Sequence, residues 1–392
     1  MGATEIAVII VVIGLRLLLP LTIPYFPIVG VVSCLLLDAV DQTIFQQFPA
    51  IPLDSYQSYD KALDIYYLTI TYLSTFRNWT NQPAFRVNQA LFYYRLVGVA
   101  AFELTQIRAL LLVFPNTFEY FFIFYELVRM RWDPARMSRK MVIVAAALIW
   151  VFIKLPQEWW IHIAQLDTTD FIKEELFGVD LDTSWTAAVA AAPLVLVAAV
   201  AVFAALAAAL WWVVTRKAPP ADHAPQIKAD PLPPELRGAE PYRSARVGSR
   251  IFDRALAEKA ALAALVCIIF ANMLPGLDAR PTDVAWSVAL FVVANAAVSQ
   301  WLARRGRSWT TVAVELGVMA VVNFALVVAL EAGQRFLGLR DAHIGFVMTL
   351  FFVLLLTVII VLFDRYHTVY AARRLMNGGA PPHSPRSAAI SP

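Results

Sequence analysis

Hydrophobic residues fall in long runs separated by short polar connections, the spacing of membrane-spanning helices rather than of strands. Eleven segments fit, at approximately 5-23, 27-48, 60-78, 88-113, 117-132, 140-156, 186-215, 256-275, 283-303, 309-333 and 343-364. A hydrocarbon core needs roughly 20 mostly apolar residues in helical form. A transmembrane barrel would instead read as strands of about ten residues with alternating polarity. The expected class is an all-α polytopic integral membrane protein with about 11 transmembrane helices. Pro20, Pro24 and Pro27 punctuate the chain between the first two segments, so ten helices plus a re-entrant segment at 27-41 is the alternative.

The composition points the same way. The 392 residues are 60% hydrophobic and 16% charged, with a mean hydropathy of +0.64, whereas charged residues make up about a quarter of a soluble domain. This excludes a secreted disulfide framework, a nucleic-acid-binding domain and a disordered scaffold. The lipid bilayer is the expected partner, no nucleic acid is, and nothing in the chain speaks to oligomeric state. Cys34 and Cys267 both lie in apolar runs, which leaves no bridge framework or paired-cysteine metal site.

Four regions follow: a seven-helix membrane region with a polar site at 1-215, a cytoplasmic Pro/Arg-rich linker at 216-254, a four-helix membrane region at 255-370, and a disordered cytoplasmic tail at 371-392. The linker holds Pro219, Pro220, Pro225, Pro231, Pro233, Pro234 and Pro241, a composition that argues for poor order. No internal repeat is evident. Alternate connections carry twenty-two Lys and Arg against four, and the excess marks the cytoplasm. The C-terminus is then cytoplasmic, the N-terminus is outside, and Arg16 falls near the cytoplasmic end of the first helix. The expected location is the plasma (inner) membrane of a bacterial-type cell. No basic region precedes the first helix, so no cleaved signal peptide is expected.

Ionised groups at bilayer depth cost at least about 2.5–3.5 kcal/mol, so those in the spans are the candidates for chemistry. Asp38 and Asp41 are three residues apart and share a helix face, Asp38 near mid-membrane and Asp41 in the outer half; Asp60 and Asp64 are four apart at the start of the next helix, beside Lys61. Both pairs flank one outer connection, 49-59, which adds Asp54, Tyr56 and Tyr59. Facing carboxylate pairs can hold a divalent cation such as Mg or Mn, with Asp38 and Asp41 as the expected ligands, and that cation can accept a substrate phosphate. For Asp60 the competing explanation, an acidic residue complementing the helix dipole in water, is the stronger; for Asp64 the two balance.

The fourth segment places Arg95, Glu103 and Arg108 in a span that tolerates few charges. Arg108 either neutralises Asp38 or Asp41 or clamps an anionic group with its guanidinium, while Arg95 snorkels toward the inner leaflet. Glu119 sits in the first turn of the fifth segment, on the same outer face as the acidic pairs, and Glu126 is expected to pair with Arg129 and Arg131. The outer region 157-185 is strongly acidic, with Trp159, Trp160 and His162 suited to an interfacial anchor. In the second half, Asn272, Asn295, Glu315, Asn323 and Glu331 are the polar residues within helices; Asn295 and Asn323 read as packing and Glu315 as a partner of Arg304, Arg305 and Arg307.

The chain has no Gly-rich phosphate loop, no HExxH pair, no zinc spacing and no nucleophile elbow. Ten or eleven helices with acids around the first outer connection resemble, in architecture alone, polyprenyl-phosphate-sugar-dependent glycosyltransferases; no site residue follows from that. The expected activity is a membrane-embedded enzyme, such as a transferase, acting on a lipid-linked or anionic substrate at the outer face. Asp38, Asp41 and Glu103 would be catalytic, with Arg108, Asp64, Asp60 and Glu119 binding substrate. A proton- or sodium-coupled transporter and a non-catalytic assembly subunit are the alternatives.

Overall fold

The computed structural model describes residues 2–46, 56–164, 166, 168–248, 251–273, 280–336 and 346–376, and among these it is helical with no strands. In chain order the principal helices are α1 (Ala3–Leu18), α2 (Pro27–Gln46), α3 (Tyr56–Asn78), α4 (Gln82–Thr105), α5 (Ala109–Val113), α6 (Thr117–Arg129) and α7 (Arg139–Ile163, with two π-helical stretches). They continue with α8 (Trp185–Ala191), α9 (Pro193–Lys217), α10 (Glu240–Gly248), α11 (Arg254–Met273), α12 (Pro281–Arg304), α13 (Val312–Phe336) and α14 (Phe346–Met376).

Seven helices among the described residues are long and apolar enough to cross a membrane, or eight if α8 and α9 form one span bent by 94°. The expected count of about eleven is not reached. The segment expected at 88-113 is two elements: α4 ends at Thr105 on Gln106, whose left-handed φ of 56° stops the helix, and α5 runs on with α6 as one span. Two further helices, α3 and α4, carry Asp60, Lys61, Asp64 and Arg77, and Arg86, Arg95 and Glu103, more charge than lipid tolerates without shielding.

That shielding comes from the neighbours of α3, which packs against α1, α2, α4, α11 and α14. Its buried threonine hydroxyls return to carbonyls of their own helix, Thr69 to Ile65 at 2.7 Å, Thr71 to Tyr67 at 2.9 Å and Thr75 to Tyr72 at 2.7 Å, so each of the three has an acceptor. The apolar faces of α3, α4, α6, α11 and α14 form one aromatic-rich core. Within it Tyr72 stacks on Phe92 at 4.3 Å and Trp79 on Tyr125 at 3.7 Å between centroids. The two halves of the chain are therefore packed together through α11 and α14.

Local signals at the helix ends follow the sequence. Asn81 caps α4 by accepting from the Ala84 N–H at 2.9 Å, with Pro83 in the first turn, as expected of Asn before Pro at a helix start. The Asn81 amide also donates to the Pro134 and Met137 carbonyls at 2.9 Å each, tying α4 to the turn before α7. Gly98 permits the close passage of the chain after α5, since a Cβ there would lie 2.1 Å from the Phe114 Cβ.

The basic residues around Arg129 to Arg136 and Arg373 meet at one end of the bundle, where Arg373 donates to the Arg77 carbonyl and Arg77 to the Pro24 carbonyl at 2.8 Å. Residues 218–239 lie across that end. Asp222 accepts from the Asp133 N–H and pairs with Arg136 at 2.5 Å; the Ala229 N–H donates to the Tyr25 carbonyl at 2.8 Å; Arg129 donates to the Lys228 carbonyl at 3.2 Å. Glu126 is bonded by Arg129 at 2.6 Å and by the Trp79 indole at 2.9 Å, while Arg131 takes no part in that contact.

In the second half Asn295 donates to Asn323 at 2.5 Å and Asn323 to Thr357 at 2.9 Å, joining α12, α13 and α14 through buried amides. Glu315 corrects an expectation. Its partners are Arg246 from α10 and Arg365 from α14 at 2.8 Å, not the Arg304 to Arg307 cluster, because α10 folds back under the bundle and puts Arg246 nearer. The tail from Asn377, Asp54 and the side chains of Tyr56, Tyr59 and Glu331 lie outside the described residues.

Candidate functional site

At the end of the bundle away from the basic clusters, residues of α1 to α7 and of the end of α11 line a cavity of about 1100 Å³. The acidic wall holds Asp38 from α2 with Asp60 and Asp64 from α3, together with Arg16 and Lys61. The lining from α4 to α7 mixes Arg95, Arg108 and Lys154 with Glu103, Glu119, Glu158 and His162.

Arg16 organises the acidic wall. Its NH1 contacts Asp41 and lies 2.6 Å from Asp60; its NH2 lies 2.5 Å from Asp38 and 3.0 Å from Asp64. One guanidinium thus meets four carboxylates from two helices, a use of its planar fork of donors that an ammonium cannot reproduce. The i, i+3 spacing in α2 and i, i+4 spacing in α3 present each pair on one face toward α1. Asp38 stands eleven residues beyond Pro27, or about 16 Å along a helix, so the cluster lies well inside the bundle. With all four carboxylates ionised the group carries a formal charge of −3.

Asp41 is 1% exposed and does not line the cavity. Asp38, Asp60 and Asp64 do, and an oxygen of each lies within 4.8 Å of the others, close enough to share a metal ion. The oxygen-ligand triad that the geometry offers is therefore Asp38, Asp60 and Asp64, where the sequence pointed to Asp38 and Asp41. The half-buried state of Asp60 and Asp64 replaces the picture of a solvated first turn.

Arg108 departs most from expectation. Because α4 ends at Thr105, Arg108 is exposed at the start of α5 and touches neither Asp38 nor Asp41; Arg16 holds that position. No ion pair joins Glu103 to Arg108 among the described residues, although both line the cavity. Arg95 does not snorkel outward. Its NH1 donates to the Phe114 carbonyl at 3.0 Å and lies 3.9 Å from Glu158. Glu119 is buried rather than solvated and accepts from the Asn116 amide at 3.1 Å.

Sequence reading missed Arg16, Lys154 and Glu158. Arg16 was legible in principle, as the one cation in an otherwise apolar run from Ile6 to Leu19. The other two sit where α7 departs from α-helical form: Ile149–Lys154 and Trp159–Ile163 are π-helical, on either side of Leu155–Glu158. Pro156 brings no N–H to that stretch, and the wider turns around it aim Lys154 and Glu158 into the bundle. Such π turns recur at functional positions. Glu158 accepts from the Asn116 N–H at 3.0 Å and lies 3.0 Å from His162.

Comparison with known protein families, with curated proteins and with solved structures yields no match to this chain. The cavity and its charge distribution are thus the whole basis of a functional reading.

Proposed function

We propose that this chain is a multi-pass membrane enzyme, of transferase type, that acts on an anionic or lipid-linked substrate in the cavity facing the outside. It would reside in the plasma (inner) membrane of a bacterial-type cell with its C-terminus cytoplasmic, as the excess of Lys and Arg at the opposite end of the bundle favours. The observation that carries this reading is the carboxylate triad in the cavity. Asp38, Asp60 and Asp64 converge in a volume also lined by Arg95, Arg108 and Lys154.

A divalent cation such as Mg or Mn on the triad would offset most of the formal −3 and draw in a phosphate oxygen, while Arg108 and the other cations receive the remaining charge. The same triad leaves a carboxylate available as general base once substrate is bound. Arg16 keeps the four carboxylates converged when no cation is present.

The excess negative charge also supports a second reading, a proton- or sodium-coupled transporter in which ion binding to Asp38 or Asp64 loosens the hold of Arg16. The two separate experimentally. Asp38→Asn and Asp64→Asn variants that fold as wild type are compared by lipid-extract profile in cells and by ion-coupled uptake in proteoliposomes. Accumulation of a lipid-linked precursor supports the enzyme. Lost uptake with an unchanged lipid profile replaces it with the transporter, and wild-type behaviour in both assays overturns both readings.

A further inference from the structure

On the α7 side of the cavity, Lys154 is 4% exposed, yet among the described residues no carboxylate lies within ion-pair distance of its Nζ. That ammonium donates to Gln157 Oε1 at 2.9 Å and sits 4.1 Å from the centre of the Tyr120 ring, a neutral acceptor and a ring face for a group with three protons. Arg95, on the facing surface of α4, has a side chain 17% exposed and a buried Nε without a hydrogen-bond partner. Arg108 stands at the same cavity with no ion-pair partner among the described residues. Of the two nearby acids, Glu119 accepts from the Asn116 amide, and Glu158 accepts from the Asn116 N–H, contacts His162 and lies 3.9 Å from Arg95.

A buried cation left without an anion is strongly disfavoured in a low-dielectric interior. Here Lys154, placed by the π turns of α7, meets no carboxylate directly, and Arg95 on α4 meets only Glu158, at 3.9 Å, so both keep donors uncommitted at one cavity. We propose that Lys154 and Arg95 form an anion subsite that takes a phosphate or diphosphate group. The donors come from separate helices, α4 and α7, with α5 at the rim. A phosphate, whose three or more acceptor oxygens diverge, can meet all of them, whereas a carboxylate presents its two oxygens in one plane. The proposal rests on reading the cavity as a substrate site and names the chemical class that the site takes, with Lys154 and Arg95 as its principal holders in place of Arg108.

Binding is measured on the full chain in EDTA, so that neither turnover nor a metal enters. In one arm the thermal midpoint of the detergent-purified protein is followed against inorganic phosphate, with chloride at matched ionic strength as control. In the other, phosphatidylcholine nanodiscs are compared with and without phosphatidic acid. Saturable stabilisation in the first arm identifies a free phosphate as sufficient, and stabilisation in the second alone identifies a lipid headgroup; either supports the subsite. Lys154→Gln and Arg95→Gln are each expected to weaken binding by about tenfold or more, and Lys154→Arg to stay within about threefold of wild type. The conservative variant keeps the test open if Lys154→Gln fails to fold. Equal binding by wild type and Lys154→Gln, or no stabilisation of wild type in either arm, overturns the subsite. Intact Lys154-dependent binding with an unchanged lipid profile in the Asp38→Asn variant overturns the enzyme reading alone.

Discussion

Replacing Arg16 by Gln removes the guanidinium that meets four aspartates, and the cost can be worked from their burial. Asp41, 1% exposed, loses its counter-ion inside the bundle, and breaking a buried pair in this way costs about 3–5 kcal/mol. Asp38, Asp60 and Asp64 have side chains 36%, 32% and 46% exposed, so water in the cavity screens them and each adds little, on the order of a few tenths of a kcal/mol. The total is therefore about 3–5 kcal/mol rather than four times that figure. At roughly 2 °C per kcal/mol for a chain of this size, the thermal midpoint in detergent should fall by about 6–10 °C. Adding Asp41→Asn removes the stranded charge and should recover more than half of the loss, and the double-mutant cycle should show a coupling above about 2 kcal/mol. Arg16→Lys should fall between wild type and Arg16→Gln, since one ammonium cannot reach all four carboxylates. A midpoint for Arg16→Gln within error of wild type, or no recovery on adding Asp41→Asn, would refute the reasoning.

Other consequences follow from contacts elsewhere in the molecule. Glu315→Gln weakens the hold of Arg246 and Arg365, so hydrogen exchange across 240–248 should quicken while the cavity end of the bundle keeps its protection. Asn323→Val breaks the Asn295–Asn323–Thr357 chain; hydrogen bonds between membrane helices average about 0.6 kcal/mol, so a denaturation series should register roughly 1 kcal/mol and no more than about 2 kcal/mol. Gly98→Ala puts a methyl against Phe114 and should destabilise by about 1–3 kcal/mol, the range for overpacking, with a thermal shift as the readout. Asp222→Asn frees the strap at Arg136; this surface pair is worth less than about 1 kcal/mol, but limited trypsin digestion should cut faster at Lys228 and Arg237.

The all-helical class was legible because apolar runs of span length have few other uses. The convergence of Asp38, Asp41, Asp60 and Asp64 was also legible in part, since spacings of three and four on successive helices place each pair on a face. Which cation they meet was not, because it depends on how α1 returns beside α2. The break at Gln106 was hidden for a different reason: Leu104 to Val113 stays apolar enough to read as helix, and a left-handed residue at a non-glycine position leaves no mark in hydropathy. Charge accounts for part of the difference between the eleven segments and the seven or eight apolar helices among the described residues. Of the segments read as ordinary spans, α3 is encased by five other helices, so its hydroxyls and acids mark an interior element rather than a lipid-facing one. Glu315 was assigned to the cations closest in sequence, while tertiary contact favoured Arg246 and Arg365 across 69 and 50 residues.

The most direct test of the cavity as a substrate site is Mn²⁺ binding to the full chain in nanodiscs, followed by the loss of the free-ion paramagnetic signal. The account predicts saturable binding that Mg²⁺ displaces, that Asp38→Asn and Asp64→Asn each weaken, and that Asn323→Val leaves unchanged. Wild-type protein that binds no Mn²⁺, or binding unaffected by both aspartate variants, would contradict it.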